Sequence, residues 1–131
     1  MARSRFPALI GVVHLPALAG SPRASGEHPA SALEKAGQRA VSEAQALEKA
    51  GFDGVVLENF GDTPFFKGSV PPETIACMAV IAAAVRQAVR VPIGINVLRN
   101  DGRAGLAIAS VTDCEFIRVN VLSGWSRPIR A

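Results

Sequence analysis

Hydrophobic residues along this chain fall into two alternating kinds of segment. Short, nearly continuous apolar runs, typical of buried parallel strands, occupy residues 8–13, 53–58, 92–97 and 115–121. Between them lie longer segments whose apolar residues recur every three and four positions, as on one side of a helix. The pattern predicts an α/β protein of order βαβαβαβ. Because no hairpin-type turn joins the strands, we expect a parallel sheet with right-handed crossovers.

Capping residues set the predicted helix boundaries. Ser31 and Glu34 have capping-box spacing, and Gly51 suits a C-terminal cap, which predicts a first helix between them. Residues 59–69 are rich in turn-forming residues and are expected to form a loop. A second helix is predicted at residues 71–89. A third helix is predicted to begin with Asn100 or Asp101 as its cap and to end at about Val111.

Four strands amount to half of a (βα)8 barrel, which takes about 250 residues when complete. At 131 residues the chain is therefore expected to be half of a TIM barrel. Residues 123–131 carry no helical stripe, so the helix expected after the fourth strand is missing. We expect either a truncated or frameshifted product, or a half-barrel that associates with another.

Composition and charge exclude several classes of protein. With 49% hydrophobic residues the chain is not disordered, and no apolar run reaches the roughly 18 residues of a membrane-spanning helix or resembles a secretory signal. We therefore expect a cytoplasmic protein, in solution or peripheral to a membrane. The net charge of +3 comes from four arginines in the two tails, and only 5% of residues are aromatic, so nucleic acid is not an expected partner.

Polar side chains follow the predicted strands at the ends where α/β proteins keep their active sites. The sequence therefore predicts a pocket for a small molecule at this face. The candidate residues at the strand ends are His14, Glu58, Asn59, Asn96, Arg118 and Asn120, and those on the adjoining loops are Asp62, Lys67, Arg99 and Asn100.

Glu58 and His14 are the candidates for proton transfer. A carboxylate placed directly after Val-Val-Leu is costly to bury unless it is paired or functional, and an imidazole titrates near neutral pH. His14 can equally cap a loop, and Glu58 can equally form a structural ion pair with Arg118. In that second interpretation Arg118 is a buried cation, which the loss of the Glu58 charge would leave uncompensated.

The remaining candidates have a ligand-binding and a structural interpretation. Asn96 and Asn120 can bind sugar hydroxyls or can tie neighbouring loops together. Arg99 and Lys67 can hold a phosphate or carboxylate, or can stay solvated. The loop aromatics can form a lid or pack the loop onto the barrel; they are Phe60, Phe65 and Phe66.

Metal and thiol chemistry are not predicted. No His-x-His pair or carboxylate spacing supports a metal site, even with Asp62 near His14 and Glu58, so no metal is assigned and the cofactor stays open. Cys77 and Cys114 are interpreted as core thiols, with Cys114 at the end of the sheet opposite the predicted pocket.

Four blocks of this sequence closely resemble the BtpA/SgcQ family. They span residues 10–16, 56–68, 92–101 and 115–121, and the most specific are Glu-Asn-Phe-Gly-Asp from residue 58 and Asn-Val-Leu-Arg-Asn-Asp from residue 96. The resemblance implies a barrel of the ribulose-phosphate-binding type. The family is named for a factor needed to accumulate photosystem I, and it also contains proteins encoded with sugar-metabolism genes, without an agreed reaction. The resemblance ends near Gly124, which implies the N-terminal half of such a barrel, with a partial barrel domain at residues 1–124 and a divergent tail at residues 125–131.

Two functions follow as hypotheses. In the first, the barrel binds a small sugar, a nucleoside or a phosphorylated metabolite, with Glu58 and His14 sharing proton transfer, and this fragment alone is inactive. In the second, the barrel is a non-enzymatic assembly factor for a membrane complex, as in photosystem I biogenesis. The expected partners are accordingly a small molecule, a second copy of the chain or a protein of a membrane complex.

Overall fold

A computed structural model describes residues 6–122 of the chain. The predicted divergent tail at residues 125–131 and the arginines of the two ends lie outside the described residues. Strands and helices alternate as β1 (Ile10–His14), α1 (Pro29–Lys49), β2 (Gly54–Glu58), α2 (Pro72–Ala88), β3 (Ile93–Asn96), α3 (Gly102–Thr112) and β4 (Phe116–Ile117), with a 3₁₀ turn at Phe60–Asp62. Within these residues no helix combines the length and hydropathy needed to cross a membrane.

The four strands form one parallel sheet in chain order, β1-β2-β3-β4. His14 lies opposite Glu58, Glu58 lies opposite Asn96, and β4 joins through the pair Ile95 and Ile117. Helices connect consecutive strands, as right-handed crossovers require. The α/β fold and the βαβαβαβ order of half a TIM barrel are therefore confirmed.

One face of the sheet packs against the helices and forms the hydrophobic core. Successive strand side chains point to opposite faces, so alternate residues of each strand reach this core. The strands contribute Val13, Val55, Leu57, Ile93 and Ile95, and the helices contribute Ala36, Ala40, Ala44, Met78, Ile81, Ala82, Val85, Ala104, Ile108 and Ala109. The small alanines of α1 allow this helix to approach the sheet closely.

The other face of the sheet is not covered by helices. Val12 is 42% exposed on this face, and Val56 and Phe116 line the same open groove, whose volume is about 560 Å³. The ring of Phe116 lies over Gly94, where a Cβ would collide with it. In a complete barrel this face is the packed interior.

The start of α1 differs from the prediction. The helix begins at Pro29, and the Nδ1 atom of His28 accepts a hydrogen bond from the Ala30 N–H at 3.3 Å. Ser31 and Glu34 lie inside the helix, so the predicted capping box is wrong. Proline favours the first helical position because its φ angle is preset, and this moves the start upstream. Gly51 follows the helix with φ of 95°, as the predicted C-terminal cap requires.

The last strand is shorter than predicted, with two residues instead of seven. Its ladder ends where the Arg118 N–H donates to the Ile95 carbonyl. Beyond that point the N–H groups of Asn120 and Val121 donate to the Asn100 side chain rather than to β3. A side-chain acceptor has therefore replaced the expected ladder.

Carboxylates tie loops together at the opposite end of the sheet. Glu48 of α1 accepts hydrogen bonds from the N–H groups of Arg90 and Val91, and Glu115 accepts one from Ile93. Cys114 lies at this end, directly before β4, and burial raises the pKa of its thiol. The end remote from the predicted pocket is thus held by contacts within the chain, as expected of the face of a barrel that serves stability.

Candidate functional site

Four of the predicted residues form one row across the carboxyl ends of the strands. His14, Glu58 and Asn96 are register partners, and Arg118 follows β4 at the next position along the row. Their side chains lie on the uncovered face, two residues beyond the apolar residues of the groove along β1, β2 and β4. We refer to the set His14, Glu58, Asn96 and Arg118 as the polar row.

Glu58 is the centre of the polar row. Its side chain is 9% exposed, and its Oε2 atom accepts a hydrogen bond of 2.8 Å from Asn96 Nδ2. His14 Nε2 lies 3.7 Å from Oε1, and Arg118 Nη1 lies 3.7 Å from Oε2. One direct hydrogen bond and two basic side chains therefore surround a nearly buried carboxylate.

Arg118 is not the buried cation that the structural ion-pair hypothesis assumed. It does approach Glu58, but its side chain is 59% exposed. A guanidinium in contact with water keeps most of its hydration when its partner is removed, and exposed ion pairs contribute little to stability. The expectation that loss of the Glu58 charge leaves an uncompensated buried cation is therefore wrong.

Asn59 and Asp62 are buried and make their contacts within the chain. The Asn59 side chain donates to Asp62 Oδ2 at 3.1 Å and accepts from the Leu98 N–H at 2.6 Å, while Asp62 Oδ1 accepts from the Leu18 N–H at 2.7 Å. These bonds join the loops after β1, β2 and β3. Burial raises the pKa of Asp62, and the hydrogen bonds to its carboxylate oppose that rise.

Asn100 and Asn120 connect the segments that follow β3 and β4. Asn100 Nδ2 donates to the Val121 carbonyl at 3.1 Å, and Asn120 Nδ2 donates to the Arg99 carbonyl at 2.7 Å. Of the two interpretations of Asn120, the geometry matches the tie between loops. Asp101, the alternative to Asn100 as a cap, accepts the Ala104 N–H and begins α3.

Lys67 and Arg99 are exposed on the loops at the same end. Neither side chain has a hydrogen bond or ion pair with another residue in the described part of the chain. They are therefore not held against the polar row, and both are free to approach an anion from solvent.

Aromatic residues of the loop after β2 lie at one end of the polar row. The ring of Phe60 stacks on the imidazole of His14, with centroids 4.5 Å apart and planes at 20°, and Phe65 lies 6.5 Å from Phe60. This contact orients His14. The open groove below the polar row is lined by Val12, Val56 and Phe116, which were not among the predicted site residues. Each lies two residues before a member of the polar row. The period-two alternation of strand side chains could therefore have placed them on the same face.

No group of three His, Cys, Asp or Glu side chains within residues 6–122 is placed to hold a metal ion. Asp62 in particular is directed to Asn59 and Leu18 rather than to His14 and Glu58.

The fold and this row define a parallel βα barrel wall with a polar mouth at the carboxyl ends of its strands. The sequence model of the BtpA family matches residues 5–127, so the chain belongs to the BtpA family. No solved structure matches the chain significantly.

Relatives of this chain occur in archaea and cyanobacteria. An uncharacterized protein of Methanocaldococcus jannaschii is 50% identical over 116 residues, which are 88% of this chain and 42% of that protein. An uncharacterized protein of Pyrococcus horikoshii is 48% identical with the same coverage. The photosystem I biogenesis protein BtpA of Synechocystis is 47% identical over 88% of this chain and 39% of its own length. The chain thus spans less than half the length of these curated relatives.

Proposed function

We propose that this half-barrel is one wall of a site that binds a small hydroxylated metabolite, such as a sugar, a nucleoside or a phosphorylated sugar. The observation that carries the proposal is the state of Glu58. Its carboxylate is nearly buried at the functional end of a barrel strand, yet it has a single side-chain hydrogen bond among the described residues. Buried carboxylates are normally paired or functional, and this one keeps an oxygen available for a ligand.

Glu58 and His14 are the groups that we assign to proton transfer. The imidazole is 54% exposed, so it can exchange protons with solvent, and its stacking on Phe60 holds it beside the carboxylate. A carboxylate and an imidazole in such contact can act in turn as proton acceptor and proton donor. Arg118, with Lys67 and Arg99 on the loops, supplies positive charge for an anionic group of the ligand.

Four other predicted ligand residues have a different part in this proposal. The hydrogen bonds of Asn59 and Asp62 join three loops around the mouth, and those of Asn100 and Asn120 join the segments after β3 and β4. We assign these residues to positioning the loops that surround the ligand.

A thermal-shift screen of sugars, nucleosides and their phosphates tests the proposal on the full-length Methanocaldococcus jannaschii relative. We expect at least one hydroxylated compound to raise the melting temperature, since binding to the native state stabilises it. Glutamine in place of the residue aligned with Glu58 should reduce this shift, whereas alanine at the residue aligned with Asp113, at the opposite end of the sheet, should not. A panel without any stabilising compound contradicts the proposal.

The second candidate function is assembly of a membrane complex. It is favoured by the 47% identity to the Synechocystis protein whose name states photosystem I biogenesis. The identity to archaeal proteins is equally high, so similarity alone does not single out this role.

Replacement of the Synechocystis protein by a variant with glutamine at the position aligned with Glu58 separates the two functions. If the barrel acts only by docking to protein, photosystem I should accumulate normally, because the substitution leaves the outer surface unchanged. If the ligand site is required, photosystem I should fall while the amount of the variant stays constant. Immunoblots of both proteins supply the measurement.

A further inference from the structure

Asn96 has a buried oxygen that no described residue satisfies. The residue is 1% exposed, and its Oδ1 atom has no hydrogen-bond partner in the part of the chain that the structure describes. The assignment of the amide is fixed, because Nδ2 donates to Glu58 Oε2, and a flipped amide would set two oxygens against each other. Buried polar atoms without a partner are rare in folded proteins and ask for an explanation.

A second acceptor lies on the neighbouring strand. Glu58 Oε1 is 3.7 Å from His14 Nε2, which is beyond hydrogen-bond distance, and no described residue donates to it. Glu58 and Asn96 are register partners, and adjacent strands are about 4.8 Å apart. Two acceptor oxygens without a described donor, Glu58 Oε1 and Asn96 Oδ1, therefore lie on either side of the hydrogen bond that joins the two side chains.

We propose that this pair of oxygens binds a vicinal diol, one hydroxyl donating to Glu58 Oε1 and the adjacent hydroxyl donating to Asn96 Oδ1. The inference rests on the proposed function and names its substrate class. Two hydroxyl groups of one ligand supply the two donors that these oxygens lack. A ligand with only acceptors at this position, such as a phosphate, would face two oxygens and be repelled.

Arg118 reaches across the strand that carries Asn96. It follows β4, yet its Nη1 atom reaches Glu58 on β2, so its side chain extends across the position of Asn96 on β3. No described residue accepts a hydrogen bond from its guanidinium, and 59% of the side chain is exposed, so it can swing aside at little cost. Once displaced, the guanidinium can contact the anionic group of a charged ligand. A neutral diol requires the same displacement but makes no such contact.

Nuclear magnetic resonance of the ¹⁵N-labelled chain tests this inference with two neutral probes, methyl β-D-ribofuranoside and its 2-deoxy counterpart. The diol should shift the side-chain amide signals of Asn96 and should bind roughly ten times more tightly, because the deoxy compound leaves an acceptor unpaired. Asn96→Leu should abolish that preference. Gln45→Leu, which removes an amide from the outer helix α1, should keep it.

Arg118→Ala provides a test that does not depend on the folding of Asn96→Leu. Removal of this side chain should increase the affinity for the neutral diol several-fold, because no guanidinium then has to be displaced. An unchanged or lower affinity would overturn the inference. Equal affinity for the two probes overturns the inference that this site binds a diol, but it does not contradict the proposed function. Binding of neither probe also overturns the diol, and the proposed function falls with it only if the metabolite panel yields no ligand.

Discussion

Asn59 lies among the candidate site residues, but its side chain connects two segments of the chain, the loops after β2 and β3. It is 1% exposed and bonds to Asp62, to the Leu98 N–H and to the Leu98 carbonyl. Loss of the amide removes one hydrogen bond from Asp62 and leaves the Leu98 N–H without this acceptor. At the scale of single residues, the mouth therefore contains both groups that face a ligand and groups that hold the walls.

Asn59→Leu should lower the free energy of unfolding by roughly 2–4 kcal/mol, because it removes several buried hydrogen bonds and leaves polar partners without them. Urea denaturation followed by circular dichroism supplies the measurement. The matched control is Asn100→Leu, whose amide is exposed and whose loss should cost less than about 1 kcal/mol. Equal effects of the two substitutions would contradict the structural role of Asn59.

Asp62 should make stability depend on pH. Burial raises its pKa in the folded chain above the ordinary value of an aspartate carboxyl group. A raised carboxyl pKa favours folding below the unfolded pKa, and this contribution is lost as the pH rises through the folded pKa. The wild-type chain should therefore lose stability relative to Asp62→Asn over that interval. Urea denaturation at pH steps between about 4 and 7 measures the difference, and a constant difference would refute the prediction.

Glu58→Gln should change stability by less than about 1 kcal/mol, since the new amide oxygen can still accept from Asn96 and the partner Arg118 is largely solvated. The melting temperature of this chain checks the expectation. A loss of several degrees would show that the carboxylate has a structural role. A small loss would allow ligand-binding effects of the same substitution to be interpreted directly.

The positions of the polar row could be predicted because period-two alternation assigns each strand-end residue to a face. The exposure of Arg118 could not, since alternation gives a direction but says nothing of what covers a side chain. The contact between Asn59 and Leu98 joins residues 39 positions apart, and no local pattern encodes it.

Two glycines show how elements are held at close range. Gly61, in the 3₁₀ turn, faces the backbone of Pro16 and Ala17 in the loop after β1, whereas Gly94 of β3 faces the ring of Phe116. A Cβ would collide at both sites. The obstacle is main chain in the first case and a half-buried side chain in the second, so the two positions differ in how far their surroundings can yield.

Gly61→Ala should therefore destabilise the chain by more than Gly94→Ala, for which overpacking of about 1–3 kcal/mol is expected. Phe116→Ala should offset the effect of Gly94→Ala and leave that of Gly61→Ala unchanged. Denaturation of the single and double variants gives both couplings. Similar couplings at the two sites would show that the loop backbone moves as readily as the ring.

The order of the strands and the number of helices could be predicted because they depend on hydrophobic patterns that extend along whole elements. Element ends depend on single contacts. The start of α1 is set by Pro29 and the His28 cap, and the end of β4 by the Asn100 side chain, which replaces the ladder. Sequence spacing alone cannot rank such competing acceptors.

The uncovered sheet face dominates the properties of the whole molecule. Phe6 is 63% exposed and Val12 is 42% exposed there, next to a groove that a complete barrel would fill. Contiguous apolar surface of this kind is typical of an interface. We therefore propose that copies of this chain associate through this face.

Sedimentation velocity should show an average mass that rises with concentration. Phe6→Ser combined with Val12→Thr should suppress the rise, because both residues line the uncovered groove. Leu106→Ser combined with Val111→Thr is the matched control, since these residues are 60% and 77% exposed on α3 and do not line that groove. A wild-type mass that stays constant at the monomer value would contradict the proposal.

The alternation of side chains along each strand places two different evolutionary constraints on neighbouring residues. Val13, Leu57 and Ile95 face the helices, so substitutions there are limited by the packing of the core. The residues that follow them face the uncovered side of the sheet, where the proposed ligand would bind. Under the proposed function, a lineage can exchange its ligand through positions 14, 58, 96 and 118 while the hydrophobic core stays intact. Members of this family that differ at those four positions should share an architecture and divide into groups with different ligands.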